Sequence, residues 1–207
     1  MKIEIRSGDQ FVTTHWSGGT TTEMFLWPPD GNYANREFKV RISSATIEEE
    51  TSIFSRLDGI QRYLSVLEGQ ITLKFNDMNE LHVKPYNVIE FSGSDKTVSN
   101  GICRDFNLML KGCEGNLTSY KLTNSVEIEC KPGYFYIFYS ESLCYFEIMN
   151  QESGDSDRVS LQDSYSLEKG IAIVSHVENI ETFIFSLRNK VDYYIDHTYI
   201  LCAEIKI

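Results

Sequence analysis

The amino-acid sequence predicts an all-β protein made of antiparallel strands of jelly-roll type. Apolar and polar residues alternate with a period of two in many short segments, which is typical of strands with one buried face. Turn-forming Gly, Pro, Asn and Asp residues separate these segments, and no segment of ten or more residues has the spacing of an amphipathic helix. Many short strands divided by turns favour an antiparallel sandwich or barrel.

The alternation predicts each strand in chain order. Residues 38–43 alternate Phe, Val and Ile with Lys, Arg and Ser, and residues 70–75 repeat this pattern after the turn at Gly69. The acidic, Ser-rich stretch at residues 151–166 predicts a mobile loop, and a boundary is expected within residues 111–125. Further strands are predicted at residues 62–67, 80–84, 88–91, 102–110, 126–130, 134–139, 143–149, 171–175, 182–187 and 199–207.

The composition limits the classes of partner. The chain has 207 residues and a net charge of -11, so its long-range field repels nucleic acid and anionic membrane surfaces. Its five cysteines are odd in number and contain no CxxC pair, which argues against a disulfide framework or a zinc knuckle. The N-terminus lacks the apolar stretch of a secretory signal, and the longest apolar run, residues 134–139, is too short for a membrane helix. We therefore expect a cytoplasmic protein.

A Gly- and Thr-rich motif at residues 16–23, Trp-Ser-Gly-Gly-Thr-Thr-Thr-Glu, is the first candidate for a binding site. Gly18 and Gly19 allow close backbone approach or a positive φ, and the threonine hydroxyls supply hydrogen bonds. The alternative is a turn at the entry to a Thr-rich edge strand. Thr20 and Glu23 also match a helix capping box, although Pro28-Pro29 leaves little room for that helix.

Two further pairs of polar residues lie on predicted strands. Arg41 and Ser43 share one strand face, and Asp105 and Asn107 share another. If Arg41 and Arg62 both point into a barrel, they form a clamp for a carboxylate, because guanidinium binds carboxylate in a bidentate manner. The alternatives are an exposed polar face, or a buried Arg/Asp network that fixes the strand register.

These motifs, together with residues 54–59, 67–69 and 91–93 in the same order, resemble the HutD/Ves family of cupin-like proteins with an RmlC-like jelly roll. The resemblance covers residues 10–112. It implies a bicupin with one barrel at residues 1–112 and a degenerate second half at residues 113–207. The chain departs from the commoner pattern in its short Ser-Gly-Gly-Thr-Thr-Thr segment and in Asp58, where proline is usual. The ligand-binding residues predicted from the motifs and the resemblance are Trp16, Gly19, Thr20, Thr22, Glu23, Arg41, Ser43, Arg62, Asp105 and Asn107.

A cupin fold raises the question of a metal held by histidines and a glutamate. Around the hairpin glycine Gly69, the expected histidine positions fall near Arg56, Asp58 and Glu90, and none of them is histidine. The four histidines of the chain are isolated, and we expect no metal and no cofactor. They are His15, His82, His176 and His197.

The leading functional hypothesis is metal-independent binding of a small acidic metabolite. The resemblance implies a ligand related to formylglutamate and a regulatory role in amino-acid (histidine) utilisation or a stress response. One alternative is a metal-free isomerase or hydrolase that uses Glu23 or Asp105 as general acid or base. Another is a regulatory interaction module, with a homodimer as one form of it, in which the aromatic residues 134–139 and 143–146 pack on a partner instead of forming a core.

Overall fold

A computed structural model of the chain describes residues 2–122, 125–151, 159–167, 169–175, 183–189 and 198–206. These residues form antiparallel strands and one 3-10 turn, Gly8–Gln10, so the predicted all-β class is confirmed. None of their helices is long and apolar enough to cross a membrane. The strands are β1 (Lys2–Ser7), β2 (Val12–Trp16), β3 (Gly19–Trp27), β4 (Val40–Ile47), β5 (Thr51–Ile53), β6 (Ile60–Gly69), β7 (Ile71–Phe75), β8 (Asn79–Val83), β9 (Val88–Ser92), β10 (Thr97–Asn100), β11 (Cys103–Lys111), β12 (Glu114–Leu122), β13 (Ser125–Cys130), β14 (Tyr134–Ser140), β15 (Cys144–Gln151), β16 (Val159–Leu167), β17 (Gly170–Ser175), β18 (Phe183–Asn189) and β19 (Thr198–Lys206).

The chain divides into two compact units, each with two antiparallel sheets. The first unit, Asp9–Leu117, has a six-stranded sheet β2-β3-β4-β11-β6-β9 and a four-stranded sheet β5-β10-β7-β8. The second unit, Met1–Gly8 with Thr118–Ile207, has the sheets β1-β17-β14-β19-β12 and β13-β18-β15-β16. Strand β1 pairs with β17 of the second unit, whereas the sequence prediction places residues 1–112 in one barrel. The sequence could not show this pairing, because alternation identifies a strand but not its partner.

The core of the first unit fills the space between its two sheets. Leu64 and Val66 of β6 and Leu73 of β7 are fully buried, because alternate residues of each strand point to one face. Burying each of these side chains stabilises the fold by about 1.5–3 kcal/mol. The other members of this cluster are Ile47, Ile71, Val83, Phe91 and Cys103.

The second unit has its own aromatic core. Tyr136 and Phe138 of β14 and Phe146 of β15 are fully buried within one cluster. These three aromatic side chains are therefore core residues and are not available to a partner. All five cysteines are free thiols, and four of them are buried.

One strand lies where the sequence predicted a mobile loop. Residues 151–166 are predicted to be a loop, but β15 extends to Gln151 and β16 pairs with it, so the prediction is wrong for residue 151 and for residues 159–166. The two strands contain a β-bulge. Ile148 pairs with Asp163 and the next residue, Met149, pairs with Leu161, so Gln162 has no partner in β15. In the sequence, Val159, Leu161, Tyr165 and Leu167 keep the period of two, but the acidic, Ser-rich composition of the stretch obscures it. Residues 152–158, Thr182, His176 and His197 lie outside the described residues.

The glycine pair of the Trp16–Glu23 motif lies at the hairpin between β2 and β3, with Ser17 and Gly18 in the turn and Gly19 at the start of β3. Gly19 pairs with Trp16 and has a φ of 148°, and a Cβ atom here would collide with the Thr46 carbonyl oxygen of β4. A Cβ atom on Gly18 would collide with the Trp16 ring. The turn alternative therefore describes this glycine pair, and the threonines continue as a strand and not as a capped helix.

We expect Gly19→Ala to lower the free energy of unfolding by more than about 2 kcal/mol, since it combines an unfavourable φ with a backbone collision. Gly8→Ala is the matched control, because a Cβ atom at Gly8 meets nothing within 4 Å. Its cost should stay within about 0.5 kcal/mol. Urea unfolding measures both variants, and equal stabilities would contradict this account of the hairpin.

Candidate functional site

A cavity of about 610 Å³ lies in the first unit, against one face of the six-stranded sheet. The strand register brings its polar residues together. Ser43 of β4 lies between Glu23 of β3 and Asn107 of β11. In the next row, Met109 of β11 lies between Arg41 and Arg62, so the two arginine Cα atoms are two strand spacings, or about 10 Å, apart. All of these side chains line the cavity.

Arg41 is a buried cation whose charge is compensated. Its Nε donates to Glu23 Oε2 at 2.7 Å, and its Nη1 donates to Ser43 Oγ at 2.9 Å. Its guanidinium also lies 3.9 Å from the centre of the Tyr33 ring. Charge-assisted hydrogen bonds and a cation–π contact therefore hold this side chain in place.

Arg62 is a buried cation without such compensation. Its residue is 7% exposed, and its guanidinium lies between the rings of Phe54 and Phe91, at 5.0 and 4.9 Å from their centres. Its Nη1 makes one long hydrogen bond of 3.5 Å to the Ser55 carbonyl oxygen, and its Nε is buried with no partner. Burial is the main cause that lowers the pKa of Arg62. No carboxylate of the described residues forms an ion pair with it.

Asp105 is a buried carboxyl group that faces the same cavity. Its Oδ1 accepts hydrogen bonds from the Ala45 backbone N–H at 3.0 Å and from Asn107 Nδ2 at 2.6 Å. Burial raises the pKa of Asp105 to about 6. The hydrogen bond from Ala45 and the positive charge of Arg62 lower this pKa, but their effect is smaller than that of burial. Asp105 thus influences Arg62 through space, whereas the ion pair of this cavity joins Arg41 to Glu23.

The family model of HutD matches residues 8–182. The chain belongs to the HutD family. A conserved protein of unknown function from Pseudomonas aeruginosa PAO1 has a similar structure, with 17% identity and a TM-score of 0.78 over 100% of both chains. HutD from Pseudomonas fluorescens SBW25 has 17% identity and a TM-score of 0.70, over 99% of this chain and 100% of its own.

A similarity of fold extends to vicilin from hazelnut, Corylus avellana, at 8% identity and a TM-score of 0.61, over 97% of this chain and 86% of that one. No curated protein sequence matches the chain. The HutD-family protein therefore has the predicted cupin-type jelly-roll fold.

Seven of the ten predicted ligand-binding residues line the cavity. The other three residues lie outside the lining. Gly19 closes the hairpin, and Thr20 and Thr22 point away from the cavity because they alternate along β3 with Thr21 and Glu23, which face it. The Thr22 hydroxyl instead bonds the hydroxyl of Thr13 at 2.8 Å. The seven lining residues are Trp16, Glu23, Arg41, Ser43, Arg62, Asp105 and Asn107.

Two aromatic residues of the site were missed by the sequence analysis. Tyr33 lies in the connection between β3 and β4, and Phe54 follows β5, so neither belongs to an alternating segment. Both stack on an arginine of the cavity. The sequence signal that could have indicated them is an aromatic residue in a connection between strands, where few other side chains are apolar.

The cavity of this HutD-family protein does not fit the metal that a cupin fold implies. Its two carboxylates are engaged, Glu23 by Arg41 and Asp105 by Ala45 and Asn107, and two guanidinium groups repel a cation. Within the described part of the chain, no three His, Cys, Asp or Glu side chains are grouped to hold a metal ion. Arg56 and Asp58, where histidines would stand, form an exposed ion pair of 2.8 Å.

The raised pKa of Asp105 predicts a defined pH dependence of stability. The fold favours the neutral carboxyl group, so this stability is fully present below about pH 4 and is lost as the pH rises through about 6. A shift of about two pKa units corresponds to about 3 kcal/mol. We therefore compare the free energies of unfolding of the wild type and of Asp105→Asn. The wild-type value minus the variant value should fall by about this amount between pH 4 and pH 7.5. A difference that does not change with pH would give Asp105 an ordinary pKa.

Proposed function

We propose that this HutD-family protein binds a small carboxylated metabolite in the cavity of its first unit, without a metal. The proposal assigns it a cytoplasmic, regulatory role in amino-acid (histidine) utilisation, with a ligand related to formylglutamate. Family membership supports the metabolic setting.

The observation that carries the proposal is the unpaired guanidinium of Arg62. A buried charge without a counter-ion is costly, and an anion beside it recovers much of that cost. Arg41 makes no comparable demand, because Glu23 already neutralises it. The cavity therefore offers one unmatched positive charge, and guanidinium matches the two oxygens of a carboxylate better than any other anion-binding side chain.

Polar groups beside Arg62 would orient the rest of the ligand. Ser43 Oγ accepts a hydrogen bond from Arg41, which leaves its own hydrogen to donate into the cavity. Asn107 donates one amide hydrogen to Asp105, which fixes the plane of its side chain. Ser43 and Asn107 lie opposite each other in the strand register, in the row next to the two arginines.

Arg62→Met should weaken carboxylate binding while keeping or raising the stability of the unliganded protein, because it replaces an uncompensated buried charge with an apolar side chain of similar volume. We expect affinity for sodium formate and for N-formyl-L-glutamate, measured by calorimetric titration, to fall at least about tenfold, since a hydrogen bond to a charged group contributes about 1.5–3 kcal/mol. Thermal unfolding reports stability on the same samples.

Arg41→Met is the matched control, because it removes the other cavity arginine. It should lower the free energy of unfolding by about 1–2 kcal/mol, since Glu23 and Ser43 lose their partner and Tyr33 loses its cation. If Arg62→Met binds both carboxylates as tightly as the wild type, the ligand does not use Arg62 and the proposal fails.

The raised pKa of Asp105 favours a second candidate function, metal-free acid–base catalysis in the same cavity. A carboxyl group with a pKa near 6 exchanges protons readily close to neutral pH. Glu23 is less suited to this role because it is bound to Arg41. Proton NMR of the protein incubated with each carboxylate that binds would reveal conversion, which Asp105→Asn should abolish. Unchanged spectra for every bound carboxylate would reject catalysis and leave binding as the function.

A further inference from the structure

Three exposed apolar side chains line the mouth of the cavity, and we call Val12, Trp16 and Ile53 the apolar rim. They are 63%, 40% and 75% exposed. Single exposed apolar residues are normal on a protein surface. Here, however, half of the six large apolar side chains that are exposed among the described residues line one cavity. Such a concentration beside a pocket indicates a contact surface.

The apolar rim is carried by the edges of two sheets. β2 is the edge strand of the six-stranded sheet, and β5 is the edge strand of the four-stranded sheet. Val12, Thr14 and Trp16 alternate along β2 and all three line the cavity. Neither β2 nor β5 contains a Lys, Arg, Asp or Glu, the residues that commonly protect an exposed edge. The mouth therefore keeps an apolar surface on a chain whose net charge is -11.

The position of the Trp16 ring is built into the hairpin. The ring packs over Gly18, where any side chain would collide with it. The indole thus lies against the turn beside the cavity before a ligand arrives. An aromatic surface at the mouth of a pocket is suited to an apolar group of the ligand.

The cavity is much larger than a carboxylate requires. Formate fills roughly the space of two water molecules, or about 60 Å³, whereas the cavity holds about 610 Å³. Beyond Ser43, the face of β4 continues with the apolar residues Ala45 and Ile47, and Thr21 and Asp105 lie on either side of Ala45. The lining thus changes from a buried cation at Arg62 to exposed apolar side chains at the mouth.

We propose that the ligand is amphipathic, with a carboxylate at Arg62 and an apolar acyl or aryl arm that contacts the apolar rim. This inference rests on the proposed function and adds the class of ligand. It narrows the proposed ligand from formylglutamate itself, which carries a second carboxylate, to a related acid whose far end is uncharged, because the described rim offers a second charge no ion pair.

A series of straight-chain carboxylates tests the proposal. Calorimetric titration with acetate, butanoate, hexanoate and octanoate should give a Kd that tightens about two- to fourfold for each added methylene. In the double variant Trp16→Ser with Ile53→Ser, this dependence on chain length should be lost. Ile102→Ser is the matched control, because Ile102 is 52% exposed but lies outside the cavity, and it should keep the wild-type dependence. Thermal unfolding checks that each variant is folded.

The outcomes separate the two proposals. If acetate binds and longer chains bind no tighter, the amphipathic ligand is wrong and carboxylate binding stands. If chain length still matters in the rim variant, the arm lies elsewhere and the inference is also wrong. If no carboxylate of any length binds, the proposed function itself fails. Hexan-1-ol, which has the arm without the carboxylate, should bind at least tenfold more weakly than hexanoate.

Tryptophan fluorescence gives a second, local readout. Trp16 and Trp27 are the two tryptophans of the chain, and only Trp16 lines the cavity. In Trp27→Phe, saturating hexanoate should shift the emission of Trp16 to shorter wavelength, because its ring becomes less hydrated, whereas saturating acetate should not. Equal spectra with both acids would contradict contact between the arm and the apolar rim.

Discussion

The burial of two guanidinium groups on one sheet face is the constraint on which the first unit depends. Arg41 and Arg62 lie on either side of Met109, and each requires its own means of tolerating a charge away from water. Glu23, Ser43 and Tyr33 surround Arg41, whereas Phe54 and Phe91 enclose Arg62 without neutralising it. The contrast between a paired and an unpaired cation gives the cavity its chemical character.

The same sheet face serves both the core and the site. Arg62, Leu64 and Val66 alternate along β6 and point to one side, so the strand passes from a charged position to two fully buried apolar ones. The polar groups are therefore held by strands whose other residues anchor the core, and little entropy remains for a ligand to remove. Residues 60 positions apart, such as Ala45 and Asp105, meet at hydrogen-bonding distance because the register brings them together.

Much of this arrangement was predictable from the sequence, because strand parity is a local property. Alternation identified most strands and placed Arg41 with Ser43, and Asp105 with Asn107, on shared faces. It did not reveal that Glu23 neutralises Arg41, since that contact depends on the pairing of β3 with β4 across 18 residues. The threonines of the Gly-rich motif show the reverse case. Strand parity alone separates Thr20 and Thr22 from Glu23, yet the sequence analysis predicts all three as ligand-binding residues.

The cost of Arg62 connects the fold to the function we propose. A chain selected for stability alone gains by replacing an unpaired buried cation with an apolar residue, whereas a binding site needs that charge when the ligand arrives. Cupins that hold a metal place a cation in the barrel by means of neutral and acidic ligands. Here Arg62 supplies the positive charge from the chain itself, and the lining of the cavity no longer suits a metal. One jelly roll can therefore present either kind of cation to an anionic ligand, and the side chains of the inner face decide which.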